Sequence, residues 1–381
     1  MKRISILFGL ELYALLLAFL QSLGGVRTDE AKYLMDIPYP HPPAIRWFLS
    51  LFDAWTMQEI VVRVVFASLM VHAVWLVWDM SKQNKALGML WLVSGGVLLQ
   101  AGTVMIAPIT ALQVLVLLWM GSKKSPLPLI GIWWLFSLFS AYQAVLFLPI
   151  VLLLVWQRRK SIADVVLYCA IPFGLLCLYT VTNPLIPASM VIHSGRDLGS
   201  SVSDRFIATL RLWAIGGSIV LSVLGTFGMI RAKAFGLIGS FLFVCGYIAL
   251  SRYDYYAVLF LPLLIGGVIA SPSCMKLTRM STVVLAIVGF IFVGDFTSML
   301  ASSSAREAKP FLSAIAEDQM LLISGSFGHQ WQYESPVSVR RYREDLVVTA
   351  GAVVCLDSCE GFDFSELVKI EDSSVEMWIR E

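Results

Sequence analysis

Long apolar stretches alternate with short polar links over most of the chain. They fall at residues 4–20, 60–78, 86–101, 104–120, 127–139, 141–156, 162–181, 207–230, 234–250, 255–270 and 282–300. About twenty helical residues, rising 1.5 Å each, cross a hydrocarbon core about 30 Å thick. The pattern therefore predicts about eleven transmembrane helices, the shorter runs being tilted, buried or paired across turns such as those at Gly102 and Pro108. Residues 4–20 follow Met1-Lys2-Arg3, as in a secretory signal peptide, but residues 21–25 offer no small-x-small cleavage pattern. The run reads as a retained first helix. Residues 44–55, behind Pro42-Pro43, mix apolar and aromatic side chains with Arg46 and Asp53, which predicts a short helix along the membrane interface.

The pattern changes after residue 300. Residues 305–317 have helical spacing, and residues 320–323, 346–348, 353–356 and 375–379 read as short strands between Gly, Ser and Asp turns. The expected architecture is an all-α polytopic membrane domain over residues 1–300 and a small α/β domain over residues 301–381. No Walker, dinucleotide or Ser-His-Asp pattern stands out in the second part.

Composition agrees: 58% of residues are hydrophobic, 14% are charged and the mean hydropathy is +0.79. That is too apolar for a soluble domain. The formal charge of +2 divides into +9 over residues 1–300 and −7 over residues 301–381. Basic clusters at Lys2-Arg3, Lys82 with Lys85, Lys123-Lys124, Arg158-Arg159-Lys160, Arg231 with Lys233, and Lys276 with Arg279 fall at every second link of an eleven-span chain. This predicts a cytoplasmic N-terminus and an extracytoplasmic C-terminal domain. The acidity of that domain argues against a nucleic-acid partner.

The same topology leaves Arg27, Lys32, Arg46, Arg63, Arg196, Arg205, Arg211 and Arg252 at or near the outer face, against the positive-inside trend. Each alone is explained by snorkelling or by pairing with Asp36, Asp197, Asp204 or Asp254. As a set they point to an anionic ligand, phosphate above all. The first outward link, Arg27-Thr28-Asp29-Glu30-Ala31-Lys32-Tyr33, adds two adjacent carboxylates that a helix would point about 100° apart. A carboxylate there can accept the proton of an attacking hydroxyl or amine, and a departing phosphate needs only cations. One base and several cations suit transfer from a lipid-phosphate donor, although helix-capping acids in a solvated loop would look the same. A rival class, a transporter or flippase of an anionic lipid, would use the same cations without a base. It would usually carry an internal repeat, which the chain lacks.

Asp29-Glu30-Ala31-x-Tyr33, followed by Tyr39-Pro40-His41-Pro42-Pro43 and Trp47-Phe48, resembles the first-loop signature of the GT-C membrane glycosyltransferases. The resemblance is to the protein-mannosyltransferase and aminoarabinose-transferase-like branch. A weaker likeness lies at Arg252-Tyr253 and Pro262, which resemble a corner before a late helix in that group. The resemblance implies a plasma (inner) membrane glycosyltransferase that moves a hexosyl or pentosyl group, with inversion, from a polyprenyl phosphate to a lipid, glycan or protein acceptor. It implies Asp29 as catalytic base, Glu30 beside it in the catalytic pair with a structural or acceptor-binding role, His41 near acceptor and lipid phosphate, and Arg252 and Tyr253 near that phosphate. Lys32, Tyr33 and Arg46 join them as substrate-binding candidates. Residues 29–41 are closer together than is usual in the group and Lys32 replaces a neutral residue, which leaves the acceptor class open.

Residues 183–205 form a Gly- and Ser-rich link, either a lid or a connector, whose Arg196 and Arg205 are further substrate-binding candidates. His193 stands alone, and no His/Cys/Asp cluster has metal-ligand spacing. No obligatory cofactor is expected, with a divalent ion bridging Asp29 or Glu30 to phosphate left open. Within the spans, His72, Gln143, Asp164 and Asp295 are the polar residues to explain. Trp75, Trp78, Trp91, Trp119, Trp133 and Trp134 read as interface anchors, and Cys169, Cys177, Cys245 and Cys274 as small buried hydrophobes. Cys355 and Cys359 would form a short disulfide in an oxidising space.

Overall fold

The structure is a computed structural model that describes all residues except 1, 38–41, 54–56, 187–200, 252–253, 293–302, 358, 360–363, 372, 374 and 381. It divides into two compact units, Met1–Phe19 with Tyr39–Met299, and Leu20–Pro38 with Leu300–Glu381.

The first unit is helical. Among the described residues, four helices are long and apolar enough to cross a membrane: Ile4–Leu23, Gln58–Met80, Ile162–Thr182 and Val202–Arg231. Shorter apolar helices cover Ile106–Ser122, Leu127–Ser140, Tyr142–Arg158, Phe235–Ser251, Tyr255–Ala270 and Met280–Gly289. Several runs that look continuous in sequence are broken. Residues 86–101 split into Lys85–Leu92 and Gly95–Leu98, with Ser94 capping the second piece through the Val97 amide. Val202–Arg231 is interrupted at Ser218 (φ 57°, ψ 150°). The Ser222 hydroxyl donates to the Trp213 carbonyl across that break at 2.6 Å, the kind of side-chain repair that lets a broken helix persist in lipid.

Small residues set the closest helix packing. A Cβ at Gly225 would fall on the Leu264 backbone, and one at Gly228 on the Gly267 carbonyl. Lipid tails supply no hydrophobic drive for helix association, so dispersion contacts at such small-residue faces hold the helices together. Several buried polar groups are matched in pairs. Arg63, on the first helix of the second span (Gln58–His72), is fully buried, 2.9 Å from Glu59 and 2.9 Å from the Gly102 carbonyl. His72 and Ser68 both reach Glu11 of the first helix at 2.8 Å. Gln143 donates to the hydroxyls of Tyr247 and Tyr256. Asp164 accepts from the Lys160 and Ser161 amides and so caps its own helix. Asp295 lies outside the described residues.

Two expectations are corrected. Trp91 and Trp134 are fully buried core side chains, not interface anchors, and the Trp91 indole donates to the Met70 carbonyl. Cys177 is exposed, because its face of the Ile171–Thr182 helix is turned outward, whereas Cys169 and Cys274 are buried.

The second unit carries a five-stranded mixed sheet, β1 (Met320–Ser324), β2 (Ser338–Arg341), β3 (Ala350–Cys355), β4 (Val368–Ile370) and β5 (Glu376–Ile379), in the order β2-β1-β3-β5-β4. β1 runs parallel to β2 and β3, while β3–β5 and β4–β5 are antiparallel. β3 is buried along its whole length, as a Gly/Ala/Val strand covered on both faces should be. Leu346–Val348, expected as a strand, lies in a 3-10 turn over Glu344–Thr349; Arg380 takes the Val347 carbonyl that a ladder would need. The expected helix over residues 305–317 ends early, at Ser304–Leu312, and a further helix forms over His329–Glu334. Cys355 and Cys359 are joined by a disulfide.

Replacing Gly228 by Leu should lower the unfolding free energy in detergent by about 1–3 kcal/mol, the usual cost of overpacking. Gly246 has nothing within 4 Å of its missing Cβ. Its replacement by Ala should leave stability unchanged or raise it by about 0.5–1 kcal/mol. Equal losses for both variants in a thermal or denaturant titration would contradict this packing.

Candidate active site

The adjacent carboxylates of the first polar link lie on a short helix, α2 (Thr28–Leu34), in the second unit. Its sequence suits a brief helix, with acids in the first turn and Lys32 in the last, matching the peptide dipoles at each end. Arg27 stands before it in extended conformation (φ −78°, ψ 161°), and its amide donates to Glu30 Oε2 at 2.8 Å. That is the reach-back half of a capping box, satisfying an amide that the helix cannot. The turn closes at Asp36, whose φ of 50° ends the helical course.

The two acids have opposite surroundings. Glu30 is fully buried, and one of its oxygens is held by the Arg27 amide. The Asp29 side chain is 26% exposed and lies 3.0 Å from Lys32 Nζ, one turn along the same helix. Adjacent helical positions point about 100° apart, so one acid faces the interior of the unit and the other its surface. Asp29 is therefore the more exposed of the two carboxylates. Lys32 supplies a cation beside it, and Tyr33 is packed into the unit at 5% exposure.

Residues almost three hundred positions later support this segment. Thr28 Oγ1 donates to Gln330 Oε1. Arg306 donates to the Ser22 carbonyl, in the last turn of the first helix, at 3.0 Å and reaches buried Glu334 at 2.6 Å. Lys309 completes that cluster, 2.9 Å from the other Glu334 oxygen. Gly25, at φ +76°, lies against the Arg306 side chain where a Cβ would collide. The sequence offered no sign of this cluster, since its members are ordinary polar residues far apart in the chain.

Asp29, Glu30, Lys32 and Tyr33 thus share one helix. Arg46, on a short helix over Ala44–Ser50, and Arg205, near the start of Val202–Arg231, belong to the other compact unit, and both are partly buried. His41, Arg196, Arg252 and Tyr253 lie outside the described residues. The intramembrane Glu11–His72 pair also escaped sequence reading; a lone Glu in an otherwise apolar first span was its signal. Among the described residues no group of His, Cys, Asp and Glu could hold a metal ion.

No protein-family model matches the chain, and no curated protein matches it. Solved structures do. The structure is similar to that of ArnT from Cupriavidus metallidurans bound to undecaprenyl phosphate, with a TM-score of 0.62 and 11% identity over 99% of this chain and 98% of that one. It is similar to the apo state of the same protein, with a TM-score of 0.60 and 13% identity over the same shares of the two chains. The likeness covers nearly the whole of both chains, and the chain has the fold that ArnT takes.

Proposed function

We propose that the protein is an inner-membrane glycosyltransferase that takes a sugar from a polyprenyl phosphate and passes it to a lipid, glycan or protein acceptor on the extracytoplasmic side. The observation that carries this reading is the end-to-end likeness to an ArnT structure that holds undecaprenyl phosphate, a lipid of the donor's class. The first-loop carboxylate supports it, because Asp29 is the member of the acidic pair left at the surface, with a cation beside it.

In the proposed reaction the Asp29 carboxylate takes the proton of an acceptor hydroxyl or amine. The acceptor atom attacks the anomeric carbon from the face opposite the phosphate. The bond from that carbon to the phosphate oxygen breaks as the new glycosidic bond forms, so the anomeric configuration inverts. The electron pair leaves with the polyprenyl phosphate, which needs cations and no proton. Lys32, Arg46, Arg196, Arg205 and Arg252 are the proposed phosphate partners, with His41, Tyr33 and Tyr253 as further substrate contacts. Glu30 is assigned a positioning role, since the Arg27 amide occupies one of its oxygens inside the unit.

Two substitutions separate the acids. Asp29→Asn should lower transfer from a purified polyprenyl-phosphate sugar by about 10²–10⁴-fold, the worth of a general base. Undecaprenyl phosphate should bind it as it binds the parent protein, and full turnover would remove Asp29 from the mechanism. Asp29→Ala should change stability by no more than about 1 kcal/mol, because its pair with Lys32 is partly exposed. Glu30→Ala should cost about 0.5–2 kcal/mol through the lost cap. A thermal melt in which Asp29→Ala is the more damaging change would reverse these roles.

A further inference from the structure

A cavity of about 400 Å³ opens in the first unit, where the Val202–Arg231 helix ends beside the link between the Phe260–Ala270 and Pro272–Leu277 helices. Its polar side chains are those of Arg231, Ser271, Ser273 and Lys276, and no carboxylate lines it. No step described above uses it. At about 30 Å³ per liquid water it has room for about thirteen waters, enough for a phosphate and a small substituent.

Both cations on this wall are unmatched. Arg231 and Lys276 are exposed, and among the described residues neither charged group has an ion-pair or hydrogen-bond partner. Basic residues of two other links do have partners within the protein: Lys123 lies 2.8 Å from Asp79, and Arg158 donates to the Ser125 carbonyl at 3.0 Å. Acids are scarce along the chain here, since residues 202–300 hold Asp204, Asp254 and Asp295 alone. A topology signal needs only charge, and Lys233 and Arg279 supply it from the same links without lining the cavity.

The rest of the wall selects the chemistry. The Ser271 hydroxyl lies 3.1 Å from that of partly exposed Ser273. Two hydroxyls joined by one bond still have one proton to give. Two cations and a hydroxyl donor, with no carboxylate to compete, suit the oxygens of a phosphate. The neighbours of the cations choose its source. Ile230, beside Arg231, is 62% exposed and Leu277, beside Lys276, is 54% exposed. In a membrane protein such apolar side chains meet acyl chains, so the phosphate is one that a lipid carries. The basic clusters assign Arg231 and Lys276 to the cytoplasmic side, away from the donor phosphate proposed above, and basic pockets between membrane helices on that side suit anionic headgroups.

We infer that this cavity binds the headgroup of an anionic phospholipid, with Arg231 and Lys276 on the phosphate oxygens. The inference stands apart from the transferase reading. The test is native mass spectrometry of the full-length protein in detergent, titrated with dioleoyl phosphatidylglycerol, with dioleoyl phosphatidylcholine, and with phosphatidylglycerol against inorganic phosphate. The parent protein should retain phosphatidylglycerol at a concentration tenfold or more below that needed for phosphatidylcholine, and equimolar phosphate should not displace it. Arg231→Gln with Lys276→Gln should weaken that retention tenfold or more. Lys233→Gln with Arg279→Gln removes the same charge from the same links and should retain the lipid as the parent does. Ser273→Asp keeps both cations and places an acid in the first turn of a helix, where the peptide dipoles favour it. It should fold and weaken retention tenfold or more, which keeps the site testable should the first pair of substitutions fail to fold. Equal losses in the two Gln pairs would show a diffuse effect of charge and overturn the site. Equal retention of the two lipids, or unchanged retention in Ser273→Asp, would overturn it as well. Displacement by equimolar phosphate would put a soluble phosphate in the cavity and overturn the lipid as its occupant.

Discussion

One guanidinium, that of Arg306, ties the first polar link to the end of the chain. It donates to the Ser22 carbonyl in the last turn of the first helix and to the buried carboxylate of Glu334. Helix C-termini leave carbonyls without amide partners and favour a cation. Glu334 would be an expensive buried charge without Arg306 and Lys309 on its two oxygens. Each group thus meets the need of another, and residues 20–38 fold as part of the same unit as residues 300–381. The carboxylate proposed to do chemistry is held by a terminal domain rather than by a free loop, and loose catalytic groups lose rate steeply.

Matched polar groups recur among the membrane helices. Arg63 is neutralised within one helical turn by Glu59, Glu11 gathers Ser68 and His72, and Ser222 repairs the break at Ser218. Hydrocarbon offers no water to such groups, so a break or a charge costs least where a neighbour completes it. Arg63 shows how a cation that counts toward an outer-face phosphate site in sequence has a local partner instead.

Much of the architecture was legible because lipid imposes a simple pattern. Over the described residues the apolar runs fall mainly on helices. The breaks at Ser94 and Ser218 were not legible, since hydropathy runs through them unchanged. β2 was missed because Ser338-Val-Arg-Arg is a charged edge, with one apolar position to show a strand period. For the site, the sequence could name Asp29 and Glu30 but could not say which was buried. That difference comes from the Arg27 amide and the packing of Ala31, Tyr33 and Leu34 around α2. The Gln330 and Arg306 supports were invisible because their partners lie across nearly the whole chain.

The terminal domain holds the helix bearing Asp29. Hydrogen–deuterium exchange across residues 28–34, compared between the parent protein and Arg306→Ala, tests it most directly. In the variant α2 should lose protection while the amides of Gln58–His72 and Phe260–Ala270 keep theirs. Unchanged exchange in α2, with Arg306→Ala folded, would show that the segment holds itself and would contradict the account.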